Sequence, residues 1–386
     1  MREPLRVLQF ITPSGFYGAE RWVLALARNT DPGSVICDLA VTREGPGQDL
    51  TLAELYPVDH GQAVHYLDMK GRFDLRVIAQ LSRVIRVRKI DIIHTHGYKS
   101  DILGLLAARR TGIRCVSTPH GFSGKVGWKL GTFIKIGIYT LRHFDRVSPL
   151  SEELMSDMRR FRVPEENTRF IRNGVDLTEI DEVIGGFSPP KKENGVRTLG
   201  FIGQMIPRKG LGDLLTVFDA LYRRDPELQL QLIGDGRERA VLESQAQAQE
   251  SRDGVSFLGF RSDRLELLAG MDLFVMTSSL EGIPRCLMEA MAVGVPVVAY
   301  DIPGVDQLIT HGETGMLAPY GDKVALERCC REVLENQELA GKLVNNGRRL
   351  IDEHYSAARM AREYENLFGE LVDGATNPLT DSEQAR

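Results

Sequence analysis

The chain has 386 residues, 42% of them hydrophobic and 26% charged, and its 48 basic and 53 acidic side chains give a net charge of −5. That length suits two domains with cores of their own, and the acidic balance argues against a general nucleic-acid binder. Cys37, Cys115, Cys286, Cys329 and Cys330 are odd in number and scattered without a CxxC pair, so neither a disulfide framework nor a structural zinc site is expected.

Reduced thiols fit a cytoplasmic protein. The opening MREPLRVLQFI is too short for a signal sequence. No apolar run approaches the roughly 20 residues that span a bilayer. A cytoplasmic protein, at most peripheral on the inner face of the membrane, is expected.

Short β-branched runs alternate with helical patterns along the chain. The first series of predicted strands is Leu5–Ile11, Cys37–Val41, Asp91–His94, Cys115–Thr118 and Arg146–Ser148. The second is Thr198–Ile202, Gln229–Ile233, Val255–Leu258, Leu273–Met276 and Pro296–Ala299. Amphipathic helices such as Leu75–Val87 and Leu211–Arg223 lie between them. This rhythm predicts an α/β protein with two parallel sheets, each covered by helices. The expected first domain is 1–182, a Gly/Pro/Lys-rich linker follows at 183–195, and the second domain is 196–355. The segment 356–373 is read as a helix rejoining the first domain, with a polar tail at 374–386.

Ligands of such folds bind beyond the carboxyl ends of the strands. The first strand runs into Thr12-Pro13-Ser14-Gly15-Phe16-Tyr17-Gly18-Ala19-Glu20. This is neither GxGxxG nor a P-loop, and a phosphate site and a plain tight turn remain open for it. His94, His96 and His120 follow first-domain strands. His94 and His96 are read as alternating across their strand with no carboxylate nearby, so no metal site is expected.

In the second domain Arg208-Lys209-Gly210 follows a strand, and paired cations beside glycine suit phosphate oxygens. Farther on, Glu281 lies in a loop and Glu289 in the helix opened by Pro284. Helical rise separates them by about 12 Å, wider than the roughly 5–9.5 Å of paired glycosidase carboxylates. That spacing suits two hydroxyl-bearing groups joined by a diphosphate, which the helix N-terminus between them can receive.

These segments resemble the retaining nucleotide-sugar glycosyltransferases of family 4, over roughly Leu5 to Leu367. The most specific element is Glu281–Glu289 with seven residues between, followed by AMAVGVPVVA; RKG at 208–210, GDG at 234–236, NGVD at 173–176, YGAE and TPHG stand in the same order. The resemblance implies the GT-B fold, two Rossmann-like domains whose parallel sheets face an interdomain cleft. It further implies that Glu281 contacts donor sugar hydroxyls, Glu289 the ribose hydroxyls, and Lys209 with Arg208 the diphosphate. Gly18 lets the first loop close on the donor, His120 sits near the transferred sugar, and backbone groups at Arg285, Cys286 and Leu287 meet sugar and phosphate.

The chain departs from the family at Gln204, where arginine is frequent, at Tyr17, where glycine is common, and at Gly304-Val305-Asp306-Gln307, which lacks the usual glutamate. Tyr17 is thereby a candidate for narrowing the site or meeting the acceptor.

The implied reaction is transfer of a sugar from a UDP- or GDP-type donor to a glycan or lipid-linked acceptor of cell-envelope or exopolysaccharide synthesis, with no cofactor. Between Arg109 and Arg146 eight cations face one acid, and Lys125, Trp128, Lys129 and Lys135 mix charge with bulky apolar groups. Such a segment suits an anionic membrane surface or is a structural helix with a basic outer face. Two rivals share the donor site: a GT-B sugar-nucleotide epimerase, separable by incubation with a nucleotide sugar alone, and a non-catalytic nucleotide-sugar-binding component of an envelope assembly system.

Overall fold

The structure, a computed structural model, describes residues 3–13, 15–71, 74–121, 128–186 and 196–374, without the side chains of 128–130 and 132. It divides into two compact units, residues 1–174 with 357–386, and residues 175–356.

Unit 1 carries six parallel strands: β1 (Leu5–Ile11), β2 (Val35–Arg43), β3 (Val64–Asp68), β4 (Ile92–His96), β5 (Arg114–Ser117) and β6 (Arg146–Val147), in the order β3-β2-β1-β4-β5-β6. Unit 2 carries β7 (Thr198–Ile202), β8 (Gln229–Ile233), β9 (Val255–Gly259), β10 (Leu273–Met276), β11 (Val297–Asp301) and β12 (Met316–Pro319). Its order is β9-β8-β7-β10-β11-β12, the same winding repeated. In each sheet the direction of winding reverses between the first and fourth strands, where a crevice opens beyond the strand ends.

β3 and β12 were absent from the sequence reading. Both are edge strands, and the VHYLD of β3 buries only Leu67, so no continuous apolar run announces it.

The expected boundary at residue 182 is corrected to Gly174/Val175. Helix Leu177–Gly186 belongs to unit 2 because Ile180, 2% exposed, joins that unit's core. The Val175 N–H donates to the Tyr355 carbonyl at 2.8 Å, so the chain enters and leaves unit 2 along paired backbone. Residues 187–195 of the expected linker and 375–386 of the tail lie outside the described residues.

Helix Ala357–Asp373 buries Ala357, Met360, Ala361, Tyr364, Leu367, Phe368 and Leu371, a stripe at helical spacing. That stripe shares a core in unit 1 with Trp22, Val23 and Leu26 of helix Gly18–Asn29.

Candidate active site

In unit 2 the loops after β7 and β10 meet at the winding reversal. The turn Pro207–Lys209 ends at Gly210, whose φ is +62°, and a Cβ there would sit 2.3 Å from the Thr277 carbonyl oxygen. Only glycine fits that approach. The close contact lets Thr277 Oγ1 donate to the Lys209 carbonyl at 3.0 Å and the Ser279 N–H to the Arg208 carbonyl at 2.8 Å. GDG supports the same loop from behind: a Cβ on Gly234 would lie 2.0 Å from the Gly203 carbonyl oxygen, and Met205 N–H donates to the Asp235 carbonyl at 2.8 Å.

This stitching joins two residues that the sequence keeps 72 positions apart. Lys209 Nζ donates to Glu281 Oε1 at 2.5 Å, with both side chains under 10% exposed. Arg208, half exposed, holds Nη1 3.7 Å from Glu281 Oε2 and donates to the Leu280 carbonyl at 3.2 Å. Both cations predicted for the diphosphate therefore converge on the carboxylate predicted for the sugar. Gly304 buttresses that carboxylate's loop: its φ is +89°, and a Cβ would lie 1.6 Å from the Gly282 carbonyl oxygen.

Glu289 is held separately. In helix Arg285–Val293 its Oε1 accepts from Arg285 Nε one turn earlier at 2.9 Å and from Arg264 Nη2 at 3.0 Å. Arg264, 8% exposed, also lies 3.9 Å from Glu179. The sequence reading missed Arg264; the available signal was that a carboxylate buried by its helix needs cationic partners. Ser278 Oγ and Arg285 Nη1 are buried without a hydrogen-bond partner among the described residues, polar atoms suited to an incoming ligand. Burial pushes the Cys286 thiol up to about 12, so it enters as a neutral wall and not as a nucleophile. The Leu287 side chain is fully buried and its N–H donates to the Pro284 carbonyl at 3.1 Å. The amides of Arg285 and Cys286 stand at the first helical positions, which have no intrahelical acceptor.

In unit 1 Gly18 opens helix Gly18–Asn29, and a Cβ on it would meet nothing within 4 Å. Neither crowding nor a positive φ requires glycine at this position. Tyr17 is 50% exposed, and its N–H donates to Glu20 Oε2 at 3.1 Å.

His94 and His96 do not alternate across β4, as expected from sequence. Residues two apart share a strand face, and their ring centroids are 4.4 Å apart. His120 Nε2 lies 3.2 Å from His96 Nδ1, and His94 Nε2 lies 2.7 Å from Thr118 Oγ1. Burial drives His94 and His96 well below the ordinary histidine range and His120 down to about 3, so the three rings are neutral at pH 7. Among the described residues no group of three His, Cys, Asp or Glu is placed to hold a metal ion.

Lys125 lies outside the described residues, as do the side chains of Trp128 and Lys129 at the start of helix Trp128–Thr140. On that helix Lys135 is exposed beside Phe133, Ile136 and Tyr139, which are 36%, 45% and 56% exposed. No helix among the described residues is long and apolar enough to cross a membrane.

The Glycosyltransferase Family 4 model matches residues 16–179 and the Glycosyl transferases group 1 model residues 187–350. The chain belongs to the family 4 glycosyltransferases. Among the relatives of this family 4 transferase is N-acetyl-alpha-D-glucosaminyl L-malate synthase of Bacillus anthracis, 26% identical over 78% of this chain and 80% of that one. Another is the UDP-Gal:alpha-D-GlcNAc-diphosphoundecaprenol alpha-1,3-galactosyltransferase of Escherichia coli, 24% identical over 78% and 80%. Among solved structures, Anabaena HepE in complex with UDP and glucose is 21% identical with a TM-score of 0.78, covering 95% of this chain and 100% of that one. Sucrose-phosphate synthase of Thermosynechococcus elongatus is 18% identical with a TM-score of 0.74, over 96% and 100%. The family 4 transferase thus has the GT-B fold.

Proposed function

We propose that the enzyme transfers a sugar, with retention at the anomeric carbon, from a nucleoside diphosphate donor to a glycan or lipid-linked acceptor of envelope or polysaccharide synthesis. The observation that carries the reading is the convergence of Lys209, Arg208 and Glu281 at the ends of β7 and β10, with Glu289 held by two arginines on the adjoining helix. Lys209 and Arg208 serve the diphosphate, Glu281 the sugar hydroxyls and Glu289 the ribose. UDP is the favoured nucleotide, because the HepE structures hold UDP and UDP-glucose. A lipid-linked acceptor follows the Escherichia coli relative's name, and the exposed Phe133, Lys135, Ile136 and Tyr139 offer a mixed apolar and cationic surface for it.

In the transfer, the bond from the anomeric carbon to the terminal phosphate oxygen breaks and the acceptor hydroxyl bonds to that carbon from the same face. The hydroxyl proton passes to the departing phosphate. Negative charge grows on the diphosphate as the bond opens, and fixed cations favour that state over the bound donor. These cations, with the amides of the helix N-terminus, supply the charge that a metal ion supplies elsewhere. Lys209 is released to the diphosphate as sugar hydroxyls take its place on Glu281.

The proposal is tested by NMR of the product formed from an α-linked donor in EDTA. An α product is expected; a β product, or transfer only with added divalent metal, contradicts this mechanism.

A further inference from the structure

A neutral histidine can offer a bound sugar either an N–H or a bare nitrogen, and the two recognise opposite partners. We infer that Gln9 and His96 are positioning residues that fix His120 in the tautomer with hydrogen on Nε2, so that its Nδ1 accepts a hydrogen bond from a donor sugar hydroxyl. This inference rests on the contact of His120 with the transferred sugar that the family resemblance implies.

The polarity is set inside the sheet. Gln9 on β1 is 0% exposed, and its Oε1 lies 2.8 Å from His96 Nε2 on neighbouring β4. An amide oxygen only accepts, so His96 carries its hydrogen on Nε2. The Gln9 amide nitrogen is turned the other way, toward Cys37 Sγ at 3.6 Å. With one hydrogen to place on a neutral ring, His96 Nδ1 is a lone pair, and the partner 3.2 Å away, His120 Nε2, must donate to it. His120 is neutral as well, which leaves Nδ1 as its accepting nitrogen.

Trp22, 1% exposed, packs against all three rings, with centroids 5.8 Å from His94 and 5.2 Å from both His96 and His120. That packing opposes the ring flip that would put Cε1 of His120 in place of Nε2, and Cδ2 in place of Nδ1. Turning the Gln9 amide round would reverse every tautomer in the chain, so the state of His120 reports the whole relay.

The experiment is long-range 1H–15N correlation on the full chain with 15N-labelled histidine, His120 being assigned from its loss in His120→Gln. In the wild type, His120 Nε2 is expected to resonate as a protonated nitrogen and Nδ1 as an unprotonated one. In Gln9→Met, which keeps side-chain volume but removes the acceptor, both nitrogens should move toward intermediate shifts. The kcat/KM for the donor should fall about tenfold, the worth of one hydrogen bond. Affinity for UDP, which carries no sugar, should stay within about twofold. Hydrogen on Nδ1 in the wild type, or an unmoved tautomer in Gln9→Met, overturns the inference. A tautomer that moves while kcat/KM does not would overturn the contact between His120 and the sugar.

Discussion

Replacing Lys209 with alanine should lower kcat at saturating donor about a thousandfold. A unit charge 4 Å from the diphosphate, at an effective dielectric near 20, interacts by roughly 4 kcal/mol. If that interaction belongs to the transition state, the rate effect is on the order of 10³. The pairing seen in unit 2 adds a second consequence. Removing Lys209 leaves Glu281, 6% exposed, with Arg208 at 3.7 Å as its remaining ion-pair partner among the described residues.

Breaking a buried pair from one side costs about 3–5 kcal/mol. The half-exposed Arg208 should hold the loss to about 1–3 kcal/mol. Glu281→Gln in the same chain removes the stranded charge and should restore much of the melting temperature without restoring turnover. The two effects are therefore separable by measuring kcat and thermal unfolding in the single and double variants. Unchanged kcat at saturating donor in Lys209→Ala would remove the residue from the chemistry.

Gly304→Ala should destabilise unit 2 by more than about 3 kcal/mol and raise the KM for the donor. A Cβ at this residue would be placed 1.6 Å from the Gly282 carbonyl oxygen and 2.7 Å from that of Glu281. Both are backbone atoms, so no rotamer change relieves the overlap. The positive φ adds of order 1 kcal/mol for any non-glycine residue. The loop must move, and it carries Glu281 away from Lys209. Urea unfolding followed by circular dichroism, with donor KM measured under native conditions, reads both effects. A variant of wild-type stability would mean that the Glu281 loop is not braced by this contact. On this reading the segment 304–307 would serve the site through its backbone, by the approach of Gly304 to the Gly282 and Glu281 carbonyls.

Much of this site was legible in the sequence because its residues sit in loops that follow strands with strong apolar runs. β7 and β10 are marked by their apolar runs, which place Lys209 and Glu281 just beyond strand ends. Their direct pairing could not be read, since it depends on the parallel register that sets Leu273 beside Leu199. Arg264 and Gln9 were invisible for a related reason. Each is ordinary in its own segment and acquires a role only through a partner on another element, Glu289 in one case and His96 in the other.

The histidine reading failed on geometry that the sequence did contain, because two residues apart on a strand means one shared face. The boundary error arose from composition. Gly185 and Gly186 pointed to a linker, whereas Ile180 seven residues after Asn173 already belonged to a second core.

The most direct test of the central claim, that unit 2 binds a nucleoside diphosphate sugar through Lys209, Glu281 and Glu289, is thermal unfolding in EDTA. The panel would contain UDP, GDP and ADP, with and without attached sugars. A ligand present at about 100 times its Kd adds roughly 2.7 kcal/mol to the folded state. One nucleotide class, with UDP favoured, is expected to raise the melting temperature by several degrees, and Glu289→Ala should abolish most of that shift. No stabilisation by any member of the panel, or a shift that Glu289→Ala leaves intact, would contradict the account.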